Sequence, residues 1–90
     1  MNAPVIHDLD DLHVFHCPGC GFDHLVYRTW AFNGDYVRPT FSPSILVTTP
    51  DPSQRCHSYV RNGMIQFLAD CHHDLRNQTV PLPAWDDERF

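Results

Sequence analysis

The stretch Arg55-Cys56-His57-Ser58-Tyr59-Val60-Arg61, then Asn62-Gly63, then Met64-Ile65-Gln66-Phe67-Leu68, decides the fold class. Asn-Gly between two β-prone runs is a strong hairpin signal, because both turn residues tolerate positive φ. A two-residue turn also sets the register, with Arg61 opposite Met64, Val60 opposite Ile65, Ser58 opposite Phe67 and Cys56 opposite Ala69. Strand side chains alternate between faces. Cys56, Ser58 and Val60 therefore share a face with Ile65, Phe67 and Ala69, and with Cys71 and His73 if the strand continues. His57, Tyr59 and Arg61 fall on the opposite face with Gln66, Leu68 and Asp70.

Outward from this hairpin, more short strands are expected. Leu12–His16 alternates and stops at Cys17-Pro18-Gly19-Cys20-Gly21, where Pro and two Gly break a strand. His24–Trp30 resumes, Asn33-Gly34 marks a turn, and Tyr36–Arg38 runs into Pro39. Thr40–Ser44 is a hydroxyl-rich connection into an apolar strand at Ile45–Val47, with a loop at 48–53 behind it. His72–Asn77 is expected to form a helical turn, and Thr79–Leu82 a last edge strand limited by Pro81 and Pro83. The expected fold is all-β, one zinc-stabilised domain over 1–90 with loosely ordered tails at 1–11 and 84–90.

Ninety residues make one core, and a chain this short benefits from a staple. Hydrophobic residues form 42% of it, enough to exclude wholesale disorder. The net charge of −5, with no Lys, argues against duplex nucleic acid and removes Schiff-base chemistry. No apolar run is long enough to span a bilayer and no leader pattern opens the chain, so a cytoplasmic protein is expected, neither crossing nor bound to a membrane.

Four cysteines without a secretion signal read as metal ligands or free thiols. Cys17-Pro-Gly-Cys20-Gly has the form of a zinc knuckle, in which two residues between thiolates let both sulfurs reach one tetrahedral ion. The redox alternative wants a helix at the first cysteine, and Pro18-Gly19 is poor helix material. The hairpin turns Cys56 inward beside Cys71 or His73. The expected Zn²⁺ ligands are thus Cys17, Cys20 and Cys56, with His73 or Cys71 as the fourth.

These motifs resemble a family of small proteins common in bacteriophages and prophages, often labelled "ammonia monooxygenase". The resemblance runs from Phe15 to Trp85 through Cys17-Pro-Gly-Cys-Gly21, Trp30-Ala-Phe-Asn-Gly-Asp35, Arg38-Pro-Thr-Phe-Ser-Pro-Ser44, Cys56-His-Ser-Tyr-Val-Arg-Asn-Gly63, Asp70-Cys-His-His73 and Gln78-Thr-Val-Pro-Leu-Pro83. It implies an accessory phage protein in the host cytoplasm. That family can have Ser at the position of Cys71 while His73 matches its His, which favours His73 as ligand. A thiolate-rich set suits zinc rather than a copper oxygenase.

Two function classes follow. The first is a noncatalytic zinc-stabilised binding module acting on a host protein or small ligand, because four protein ligands close a metal site. The second is a small zinc-dependent or metal-free hydrolase using His57 and Asp70, which lie diagonally across the hairpin as a base and its orienting carboxylate. Arg38, Thr40, Ser42 and Ser44 are candidate anion contacts from the preceding loop, with His57 beside them.

Overall fold

A computed structural model describes residues 3–48 and 55–85. The domain is all-β, with nine strands in three antiparallel sheets among those residues. The first sheet joins β1 (Ile6–Leu9), β2 (Leu12–His16) and β3 (Asp23–Tyr27) in that order. A small ladder pairs β4 (Ala31–Phe32) with β5 (Phe41–Ser42). The largest sheet runs β6 (Ile45–Thr48), β7 (Arg55–Arg61), β8 (Met64–Phe67) and β9 (Thr79–Pro81). No helix among the described residues is long and apolar enough to cross a membrane.

The Asn62-Gly63 turn forms as its chemistry demands, with φ of 56° and 79° at its two residues. Its register is Arg61 to Met64, Val60 to Ile65 and Ser58 to Phe67, and the inward face is Cys56, Ser58, Val60, Ile65 and Phe67, all buried. The apolar side chains of this face pack with Phe15, Val26 and Phe41 into one core. The ladder stops before the expected Cys56–Ala69 pair. Leu68 N–H still reaches His57 O, but the chain then turns, with Cys71 N–H on Leu68 O and His72 N–H on Arg55 O.

Three expectations are corrected. Residues 3–11 are not a loose lead-in, because β1 pairs with β2 from Ile6–Phe15 to Leu9–Leu12, and Val5 and Ile6 are buried. Asp10 makes that hairpin possible at φ 53°, a conformation Asp tolerates without glycine. Residues 72–77 contain no helix; isolated bonds from Arg76 N–H to His73 O and Gln78 N–H to Leu75 O close single turns, and Asn77 at φ 66° ends them. The third strand ends at Tyr27, where Trp30 N–H closes a turn on Tyr27 O. At the C-terminal end Trp85 N–H bonds Pro4 O. Of the expected loop at 48–53, Thr48 belongs to β6 and the rest lies outside the described residues, as do residues 1–2 and positions 86–90 of the expected tail.

Candidate functional site

Strand β7 separates two constellations by the alternation of its side chains. On the buried side are the thiols. The knuckle holds Cys17 and Cys20 through Cys20 N–H on Cys17 Sγ (3.3 Å) and Gly21 N–H on Cys17 O (3.0 Å). Cys56, 39 residues along, brings its sulfur to 4.0 Å from that of Cys17. Two thiolates on one tetrahedral ion with metal–sulfur bonds of ~2.3 Å stand ~3.8 Å apart, so the spacing fits. A ring nitrogen of His24 lies within 4.8 Å of all three sulfurs, as they do of one another.

These four residues could hold a metal ion. His24 is 1% exposed, and neither of its ring nitrogens meets hydrogen-bond geometry with a partner among the described residues, although the ring lies close enough to the Cys17 sulfur to help hold that thiol down. An unpartnered buried imidazole is costly unless something uses its lone pair. His73 is placed differently. Its Nδ1 accepts Leu75 N–H (3.2 Å), so the ring proton sits on Nε2 and faces Cys56 Sγ at 3.6 Å. Its ring packs on Gly19, where any Cβ would meet it within 2.5 Å. Cys56, Cys71 and His73 form a second group at ligand spacing. His72 Nε2 stands 3.3 Å from Cys20 Sγ.

Crowding of the sulfurs has an electrostatic consequence. The hydrogen bond from Cys56 pulls the Cys17 thiol down to about 3, and that bond together with burial pushes Cys56 far up. Burial and the negative Cys17 push Cys20 up to about 12. One thiolate satisfies the cluster by itself; several need a cation.

On the other side of β7, His57 stands between two partners. Its Nδ1 is 3.3 Å from Asp70 Oδ2 and its Nε2 is 3.0 Å from Ser44 Oγ. A carboxylate only accepts, so Nδ1 carries the proton and the Nε2 lone pair receives the Ser44 hydroxyl. That is the connectivity of a Ser-His-Asp triad, in chain order Ser, His, Asp. Arg55 Nη1 lies 3.8 Å from Asp70 Oδ2. Cys71, next to Asp70, clamps the His57 backbone: His57 N–H donates to its sulfur (3.2 Å) and its S–H donates to His57 O (3.0 Å).

The other sequence-derived candidates sit elsewhere. Arg38 and Thr40 flank the Asn62-Gly63 turn, where Thr40 Oγ1 accepts Asn62 N–H (2.8 Å) and a Cβ on Gly63 would lie 3.1 Å from Arg38 Cα. Ser42 is exposed on β5 and joined to Pro43 by a cis peptide. His57 and Asp70 come together as the hairpin faces implied. Ser44 as their third member was missed, since no glycine-flanked serine motif marks it and the register of β6 against β7 depends on a long connection rather than a tight turn. His24 lies inside a strand rather than in the knuckle, so no spacing rule singles it out as a ligand candidate.

No curated protein and no solved structure matches the chain. The family model of the bacterial ubiquitination-like system serine protease (BubE) matches residues 3–68, which take in the knuckle, His24, Ser44, Cys56 and His57. The chain belongs to the bacterial ubiquitination-like system serine protease (BubE) family.

Proposed function

We propose that this domain is a serine protease whose nucleophile is Ser44, whose base is His57 and whose orienting carboxylate is Asp70, with a structural zinc at Cys17, Cys20, His24 and Cys56. The observation that carries this reading is the unbroken chain from Asp70 Oδ2 through His57 to Ser44 Oγ. It favours the hydrolase class over the noncatalytic binding module. It also moves the chemistry from a metal to a serine, because Cys56 and His57 are neighbours on one strand and so point to opposite faces.

Each residue has a defined task. As Ser44 Oγ attacks the scissile carbonyl carbon, its proton passes to His57 Nε2. Nε2 then gives that proton to the leaving nitrogen as the C–N bond breaks, leaving an acyl-serine that water cleaves by the same route. Asp70 holds the tautomer and stabilises the imidazolium. Cys17 and Cys20 of the knuckle, His24 of β3 and Cys56 of β7 would hold a zinc ion that cross-links these segments, a contribution that reaches ~10 kcal/mol in small zinc modules. By its family's name, the proposed setting is a bacterial ubiquitination-like system, with a peptide or isopeptide bond in a protein as substrate.

The test is active-site labelling with a fluorophosphonate, followed by peptide mass spectrometry. Metal-loaded protein is expected to carry the adduct on Ser44, and Ser44→Ala protein none. A folded, metal-loaded protein left unlabelled would overturn the reading.

A further inference from the structure

We propose, resting on the serine-protease reading above, that the substrate is an extended peptide that adds as a strand to the edge of β6, which pairs with no second strand among the described residues, and lays apolar side chains against Leu25, Tyr27 and Leu46. The backbone groups of His57 are already used. Its N–H goes to Cys71 Sγ and its O receives Leu68 N–H, so both point away from β6. His57 is opposite Leu46 in the register. In an antiparallel pair whose one member faces away, the other does too. Leu46 N–H and C=O therefore point out of the sheet edge, and β6 ends its sheet. Ser44, two residues earlier and of the same parity, obeys the rule: its carbonyl points outward and takes Trp30 Nε1.

The facing strand has the same character. Cys17 N–H on Phe22 O sets the parity of the β2–β3 ladder, so Leu25, opposite Val14, also turns its backbone groups outward, and β3 ends the first sheet. Between these two edges lies a cleft of about 420 Å³, with Leu25, Tyr27 and Leu46 among its walls. Those three side chains are 47%, 59% and 53% exposed, an unusual grouping of large apolar residues, one of which lies two positions along the chain from Ser44. The carboxylate in the wall, Asp23, is bonded to His16 Nδ1 at 3.0 Å. Backbone groups that point out of two sheet edges, together with apolar walls, suit strand addition, in which backbone bonds give affinity and side-chain pockets give selectivity. Leu46 follows Ser44 by two residues, about 7 Å along a strand, so the apolar contacts fall within one or two residues of the bond to be cut.

The experiment is cleavage of a proteome-derived peptide library, read by mass spectrometry, alongside fluorophosphonate labelling of Ser44. Cleaved peptides are expected to be enriched in apolar residues within two positions of the scissile bond. For the best such peptide, N-methylation of the pairing amide should raise KM on the order of ten-fold with its side chains unchanged. Leu25→Asp and Tyr27→Asp should erode the apolar preference by a similar factor. Labelling of Ser44 without apolar enrichment, or an N-methylated peptide cut as well as its parent, overturns strand addition alone. Absence of labelling overturns the protease reading and this inference with it. The N-methylated peptide acts on unaltered protein, so its effect does not depend on the folding of any variant.

Discussion

Cys56 and His57 are adjacent in the chain and live in different media. Cys56 is 2% exposed, with its sulfur among other sulfurs, whereas His57 has a side chain 28% exposed and is wired to groups that water also reaches. The same contrast recurs at Cys71, which is buried, and Asp70, which is not. Strand alternation at 56–57 thus puts the thiol cluster and the Ser44-His57-Asp70 chain of hydrogen bonds on opposite faces, and the turn at 70–73 serves both. What differs is how each is enforced. The inner cluster is held by burial and by the hydrogen bond to one ionised sulfur, the outer one by directional hydrogen bonds on a more exposed surface.

Under that division, outer substitutions cost rate without stability and inner ones cost both. The largest effect belongs to Ser44→Ala, expected to lower cleavage by about 10⁴-fold or more with a melting temperature within a few degrees of the parent. Steady-state kinetics and calorimetry check the pair of outcomes, and a large drop in melting temperature would blur the two faces. Cys17→Ser is the inner counterpart. It should abolish stoichiometric zinc in elemental analysis, lower the melting temperature by about 10 °C or more, and lose cleavage as a consequence.

Acidity separates the faces further. Without metal, Cys17 is already ionised, while Cys20, at about 12, and the pushed-up Cys56 still hold their protons at neutral pH. Zinc binding must displace both protons, so affinity should fall as pH falls, by up to about 100-fold per unit, and calorimetry in buffers of different ionisation enthalpy should count roughly two protons released. Asp70→Asn is a smaller blow. Its side chain is 42% exposed, so water can partly replace the carboxylate, and the expected loss is about 100-fold in kcat with KM little changed. Smallest is Cys71→Ala, which frees the His57 backbone without touching the imidazole. We expect a loss of about ten-fold in kcat, partly restored by Cys71→Ser, with zinc still bound.

Much of this was legible beforehand. The knuckle announced itself through Pro and Gly at fixed offsets, and Asn62-Gly63 dictated a register that placed Cys56 inward and His57 with Asp70 outward. Signals failed where no short-range rule applied. Asp10 made a hairpin without glycine, and the break after Phe67 replaced a continuing strand by a turn, bringing His72 and His73 in from a different direction. Ser44 read as one hydroxyl among several in Thr40–Ser44, because only the β6–β7 register singles it out.

The chain by itself determined the strand class, the faces of the central hairpin and three of the sulfurs around one point, since these follow from local geometry of turns and alternation. Tertiary structure alone decided that Ser44 meets His57, that His24 joins the thiol cluster, and that β3 and β6 line one cleft. Those are meetings across long connections, set by how the sheets pack around Phe15, Phe41 and Phe67 rather than by any residue's own preference.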